Sequence, residues 1–336
     1  MPVRRVEHVL ESLAELRHAE SPEAQARELR KALADKVNVV VAKAARLTAE
    51  LQVRLLIPDL CAAFECLLID PVKTDPQCWG KEAIAQALKD LGHAESGIFL
   101  RGAQHVQLEP VWGGEEDTAA GLRAACTLAL LACADLTRED KLWAVMRLLT
   151  ERSPSLRKDA VLALQFLEGR EAALLLRLKA RMGDADSTVT GQVFESLLGI
   201  EGEAAVPFLE EFLRVSNTEI QEEAALALGA SRLPRAVMAL LNVAEQKRLL
   251  LENDVLFRSL SISRHEEAMQ FLLQAIRKGR LREAVCALEA LQLHQDSNEL
   301  REKVKEAVAS RSESELHEAL RSWSTQDASE PGSVLK

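Results

Sequence analysis

The chain has no tyrosine, and aromatic residues make up only 4% of its 336 positions. Strands draw on aromatic and β-branched residues, so this scarcity argues against a sheet-based core. Ala and Leu fill the apolar positions instead, within an apolar content of 48%. Small, unbranched residues suit helices that pack closely. Long hydrophobic runs are also missing. The longest, Ala124 to Ala134, has eleven residues between Arg123 and Asp135. A bilayer span needs about 20, so no membrane partner is expected. The start turns charged at Arg4 and Arg5, unlike a secretory signal. Cysteine is sparse: six residues and no Cys-x-x-Cys pair. A chain this long does not need disulfide staples. Cys126 and Cys133, seven apart, read as small core residues of one helix face, and a reducing cytoplasm fits.

Catalytic signatures are absent too. The sequence has no phosphate-cradling P-loop, no Gly-x-Gly-x-x-Gly, no His-Glu-x-x-His and no Gly-x-Ser-x-Gly. Its seven histidines are scattered without ligand spacing. We therefore expect no catalytic residue, no metal and no cofactor. Positive charge is in deficit, with a formal net charge of −10. Nucleic-acid readers carry a basic face, so no nucleic-acid partner is expected. The acid is concentrated: residues 58–118 carry a net −7 and residues 169–231 a net −6. Such zones suit a basic partner surface, and they equally serve solubility.

What is present is a repeat. Two small or apolar residues, any residue, a small residue and Leu recur from Ile84–Leu88 to Ala284–Leu288. The closing leucines are Leu88, Leu128, Leu164, Leu197, Leu228, Leu260 and Leu288, spaced 40, 36, 33, 31, 32 and 28 residues apart. A period of this size without strand signals predicts stacked helical hairpins, an all-α α-solenoid. In one unit, Pro154 starts a helix after Ser153, Val161, Leu164 and Leu167 share its face, and Gly169 stops it. The partner helix, Glu171 to Arg181, should turn Leu174, Leu175 and Leu178 inward. The small residue before each Leu lets neighbouring hairpins approach. Residues 1–20 read as a capping helix with Val6, Val9, Leu10, Leu13 and Leu16 inside. A last helix over 313–323 closes the stack through Leu316, Leu320 and Trp323. Residues 324–336 lack periodicity and read as a disordered tail.

The stretches Ile220–Gly229 and Leu156–Leu164 resemble the first-helix consensus of bacterial HEAT repeats. Ala204–Leu213, with Pro207, resembles the second helix. The resemblance is good over 119–291 and looser over 23–106. It implies one HEAT-type array over 1–323 and a non-catalytic scaffold that binds a protein or peptide on its concave surface. Other HEAT-like proteins are alkylpurine DNA glycosylases or bilin lyase subunits, which gives an enzymatic or nucleic-acid-directed alternative. A glycosylase of that kind would want a cationic groove, the opposite of the charge here.

One segment breaks the array. From Glu109 to Thr118, Pro110 and Gly113-Gly114 forbid a continuous helix. His105 and Glu109 would share a face if helical. Trp112 is one of only four Trp, and Glu115, Glu116 and Asp117 follow it. These residues could clamp a ligand, anchor a partner or, with His105, hold a metal. Alternatively, Trp112 plugs the core and Asp117 or Thr118 caps the next helix. We expect an ordered loop packed through Trp112 that presents its acids to a basic partner. A second candidate is the anion-binding turn Arg277, Lys278, Arg280 and Arg282, whose cations could equally complement a helix C-terminus. Trp79, in a Pro-containing turn, reads as buried packing.

Overall fold

The computed structural model describes residues 2–18, 21–246 and 253–325. They divide into two compact units, Met1–Leu167 and Glu168–Lys336, each described by itself. Both are built of antiparallel helical hairpins, so the fold is all-α, as the repeat spacing predicts.

The first unit opens with α1 (Pro2–Glu15), whose Leu13 is buried and whose Val6, Val9 and Leu10 pack against the core. Then come α2 (Pro22–Leu33), α3 (Asn38–Glu50), α4 (Ile57–Leu68), the short α5 (Pro71–Thr74), α6 (Trp79–Asp90) and α7 (Ser96–Gln104). Two strands follow, β1 (Leu108–Val111) and β2 (Gly114–Asp117). The unit ends with α8 (Ala120–Leu130), α9 (Arg138–Leu148) and α10 (Pro154–Leu167). Successive first helices stack, α3 on α6 and α6 on α8. Local signals set the boundaries. Ser21 caps α2 ahead of Pro22, and Thr137 and Asp140 cap α9 reciprocally.

The second unit contains α11 (Gly169–Met182), α12 (Ser187–Glu201), α13 (Val206–Phe212), α14 (Thr218–Ser231) and α15 (Pro234–Gln246). It continues with α16 (Asn253–Ser263), α17 (Glu266–Lys278), α18 (Leu281–Leu291), α19 (Asn298–Ala309) and α20 (Ser314–Thr325). Here α12, α14, α16 and α18 form one stacked row, and α13, α15, α17 and α19 a second. The repeated small residues have the expected cause. On α14, Ala224, Ala225, Ala227, Leu228 and Gly229 are all buried. A Cβ on Gly229 would lie 2.2 Å from the Ser259 carbonyl oxygen of α16, so two backbones meet there.

Three expectations need correction or limit. The break at 109–118 is a two-stranded antiparallel sheet, not a loop without strands. On α11 the buried residues are Ala172, Ala173, Leu176 and Ala180, while Leu174 and Leu178 are exposed. Ala at 172, 173 and 180 admits close packing, and that small-residue face won over the Leu face. The last helix extends through Thr325 and buries Leu316. The tail from 326 onward and the Trp323 side chain lie outside the described residues. Cys126 and Cys133 are buried as expected. Among the described residues, no helix is long and apolar enough to cross a membrane.

Ala227→Trp forces an indole into the α14 contact. Overpacking of this kind costs about 1–3 kcal/mol. We expect a lower Tm in thermal denaturation, and an unchanged Tm would place Ala227 outside the packed face.

Candidate functional site

The break in the array is built on buried charge. After α4 the chain makes a short turn, α5, and reaches Asp75, whose side chain is fully buried. One Asp75 carboxylate oxygen accepts hydrogen bonds from Asn38 Nδ2 of α3 at 2.9 Å and from the Gly80 amide at 2.7 Å. The other accepts from the Lys81 amide at 2.9 Å and faces Lys81 Nζ at 2.9 Å. Lys81 is equally buried, and its ammonium also donates to the Leu67 carbonyl. A buried charge is tolerated only when paired and hydrogen-bonded in this way. Asp75 thus caps α6 and tethers it to α3. The path it imposes sends Gln77 (φ 62°) and Cys78 (φ 58°) into the left-handed region, rare for non-glycine residues.

That backbone path aims the Gln77 amide at Glu109. Glu109 lies on β1 with its side chain turned inward, while its neighbours Leu108 and Pro110 are exposed. Its carboxylate accepts from the Gln77 amide (2.6 Å), the Thr118 hydroxyl (2.7 Å), Gln107 Nε2 (2.7 Å) and Gln77 Nε2 (3.2 Å). Burial alone would raise the Glu109 pKa, but these hydrogen bonds hold it below the ordinary carboxylate range. Gln107 Nε2 reaches the Asp75 carbonyl at 2.8 Å as well, joining the two carboxylate centres.

Asp117 closes the opposite side of the hairpin base. Its carboxylate accepts from the Gln107 and Ala119 amides, each at 3.1 Å, and pairs with Arg123 of α8 at 2.8 Å. Burial opposes ionisation here too, and those amides with Arg123 outweigh it, so the Asp117 pKa is lowered. Arg123 grips Glu151 with two hydrogen bonds and donates to the His105 carbonyl at 2.9 Å. Asp117 therefore holds the Ala119 amide just ahead of α8, while α8 itself has no side-chain cap, contrary to the expected capping by Asp117 or Thr118.

Above this base the strands pair with Leu108 opposite Asp117 and Val111 opposite Gly114. The loop between them is Trp112-Gly113. Gly113 takes φ 91°, open to glycine and strained for other residues. Trp112 stands at the tip with 105% relative exposure. The expected packing of Trp112 against the helices is thus corrected: a two-residue loop at the far end of a hairpin carries it away from the core. Val111, Glu115 and Glu116 are exposed beside it. His105 and Glu109 do not share a helix face, because α7 ends at Gln104. His105 Nε2 lies 3.2 Å from Gln107 Oε1, and burial lowers its pKa. Among the described residues, no group of three His, Cys, Asp or Glu side chains could hold a metal. Cys78, next to this network, is no nucleophile at neutral pH, since burial pushes its thiol up to about 12.

The second candidate is more dispersed. Arg277 and Lys278 end α17, and Arg280 and Arg282 flank the start of α18, all exposed. Two carbonyls at the α17 C-terminus are already served by a side chain. Arg311 Nη1 donates to the Ile276 and Gly279 carbonyls at 3.0 and 2.8 Å. Trp79, expected to be buried, is 52% exposed at the start of α6. Sequence reasoning missed Asn38, Asp75, Gln77, Lys81 and Gln107, the residues that seat the hairpin. The one signal was Asp75-Pro76, an acid before a proline turn.

No protein-family model and no curated protein matches the sequence. Among solved structures, the chain is similar to one in the complex of CpcE and CpcF of phycocyanin lyase from Nostoc sp. PCC7120. They share 18% identity over 71% of this chain and 91% of that one, with a TM-score of 0.34. Human deoxyhypusine hydroxylase in complex with glycerol shares 19% identity over 78% and 97% of the two chains, with a TM-score of 0.30. An engineered protein shares 15% over 96% and 100%, at 0.37. At such scores none of them bears on what this chain does.

The base and the tip respond differently to substitution. Glu109→Ala strands the Gln77, Gln107 and Thr118 donors. Unsatisfied buried donors cost about 1–3 kcal/mol, so denaturant titration should show a clear loss, whereas Trp112→Ala should stay within about 0.5 kcal/mol of wild type. Equal losses for the two would contradict the inward Glu109 and outward Trp112.

The lowered pKa values of Glu109 and Asp117 fix a pH dependence. Groups depressed in the folded state stabilise it fully above their unfolded values of about 4.3 and 3.9. That contribution disappears as pH falls through their folded values. Tm should therefore drop below about pH 4, and Glu109→Gln should flatten the drop. A Tm profile identical in Glu109→Gln and wild type from pH 5 to pH 2 would count against the Glu109 assignment.

Proposed function

We propose that this chain is a non-catalytic, HEAT-type binding scaffold that engages a basic protein or peptide through the β1–β2 hairpin, backed by the stacked helix surface. The observation that carries the reading is Trp112, fully exposed at the tip of a hairpin whose base is locked by the buried Glu109 and the partly buried Asp117. An exposed indole has its apolar area in water, and a partner pocket would cover it. Trp is prominent among the residues that dominate interface energies. Glu115 and Glu116 stand beside it without the hydrogen bonds that hold Glu109 and Asp117. Like-charge repulsion from residues 58–118, net −7, steers acidic partners away and basic ones in. The anchored base keeps the tip from paying ordering entropy on contact. A cytoplasmic setting agrees with free, buried thiols at Cys78, Cys126 and Cys133.

The test replaces Trp112 by the photo-crosslinking residue benzoylphenylalanine in cells that make the protein. We expect one discrete adduct from position 112, lost when Glu115→Lys and Glu116→Lys are added, and none from position 274 on α17. No adduct at 112, or one indifferent to the charge reversal, would sink the proposal. The same reading expects no salt-sensitive binding of duplex DNA. Micromolar binding that weakens steeply with added salt would reverse that expectation.

A further inference from the structure

A groove of about 580 Å³ lies between α1 and α3, and Trp79 of α6 joins its lining. Its walls are Leu10 and Ala14 of α1 and Val39 and Ala42 of α3. On α3, Val39, Ala42, Lys43 and Arg46 follow helical spacing, so the two cations continue the apolar wall along one face. Glu11 is the single acid in the lining. The groove therefore carries a net +1 in a chain whose net charge is −10. Among the described residues, neither Lys43 nor Arg46 forms a hydrogen-bonded ion pair. Arg46 acts on Glu82 only at longer range, where it opposes the rise that burial gives that carboxyl.

Half of the Trp79 surface is open, although the residue lies between the buried Cys78 and Gly80. The cause is the backbone. Left-handed Gln77 and Cys78 turn Trp79 out of the core, while the Asp75 carboxylate holds the Gly80 and Lys81 amides in place. The indole is thus held at the groove by the same buried centre that seats the hairpin. Volumes of roughly 300–1,000 Å³, apolar walls and a few fixed polar groups are the attributes of small-molecule sites. A flat ring can stack on an indole, and an anion beside the ring can take hydrogen bonds from an ammonium and a guanidinium.

We infer that the α1–α3 groove binds a small planar aromatic anion, its ring against Trp79 and the apolar wall and its carboxylate, phosphate or sulfonate on Lys43 and Arg46. The site is separate from the Trp112 hairpin and does not depend on the partner proposed for it.

The test uses two fluorescent probes with the same ring system. Anilinonaphthalene sulfonate carries the anion and phenylnaphthylamine lacks it. With the intact protein, the sulfonate should bind at one site per chain, about tenfold or more tighter than the neutral probe, since one charge-assisted contact is worth that much. Lys43→Gln with Arg46→Gln should erase the difference between the probes. Trp79→Ala should weaken both, and Arg277→Gln with Lys278→Gln should change neither. Far-ultraviolet circular dichroism and Tm measured on each variant establish that it is folded. Equal affinity of the two probes for wild type overturns the proposal. So does sulfonate binding that survives the double substitution in the folded protein, as does the absence of saturable binding. If an acidic, aromatic peptide binds Lys43 and Arg46 and the sulfonate does not compete, the groove is a peptide site and the small-molecule assignment fails.

Discussion

The Asp75 carboxylate is the constraint on which the first unit's unusual features depend. It is a charge without solvent, held by amides at the start of α6, by Asn38 of α3 and by Lys81. Leaving either ion of such a pair alone costs about 3–5 kcal/mol. The backbone from Asp75 to Trp79 is therefore fixed by electrostatics more than by apolar contact. Two left-handed residues follow, and left-handed backbone costs a non-glycine residue roughly 1–2 kcal/mol. The cost is offset because that path delivers the Gln77 amide to Glu109 and satisfies both α6 amides at Asp75. It also sets Trp79 outward.

From this centre the polar wiring runs to the hairpin through Gln107, which reaches the Asp75 carbonyl with the same amide nitrogen that serves Glu109. Glu109 faces the α6 side and Asp117 the α8 side, so the connection between α7 and α8 is clamped from two directions. Arg123 extends the clamp to Glu151 beyond α9. Each member is satisfied by several donors, and satisfied buried networks rigidify a unique arrangement. Apolar packing could have anchored the hairpin less directionally. Hydrogen-bonded carboxylates fix the angle at which it leaves the helices.

The repeat was legible in the sequence because its pattern is the packing. Small residues before each Leu mark places where backbones meet, as at Gly229 and Ser259. The break at 109–118 was legible as well, from Pro110 and the paired glycines. Its strands were not: Leu-Glu-Pro-Val and Gly-Glu-Glu-Asp show no alternation of apolar and polar residues, the signal by which a half-buried strand is read. Trp112 was assigned inward because large apolar residues usually are, and the rule fails where a two-residue turn holds a side chain beyond any neighbour. Lys81 went unmarked, since a single lysine carries no trace of a partner six residues back. Asn38 at the start of α3, Asp75 and Gln107 are brought together from three segments far apart in the chain, so no local window contains the centre they form.

A two-stranded hairpin of four-residue strands is marginal in water by itself. Each strand here offers few cross-strand contacts and little apolar burial, so its order has to come from outside the sheet. The base supplies it, through Glu109, Asp117 and the Thr118 amide bonded to the Gln107 carbonyl. A stack that needed only to join α7 to α8 could do so with a short turn, as between α9 and α10. Here the chain instead commits two carboxylates, a buried glutamine and a strained turn to hold ten residues upright. What that investment keeps in place is a tryptophan in water and two free glutamates. Core stability gains nothing from those three side chains. On the binding role proposed above, fixing them in advance lowers the ordering entropy that a second surface would otherwise cost on arrival.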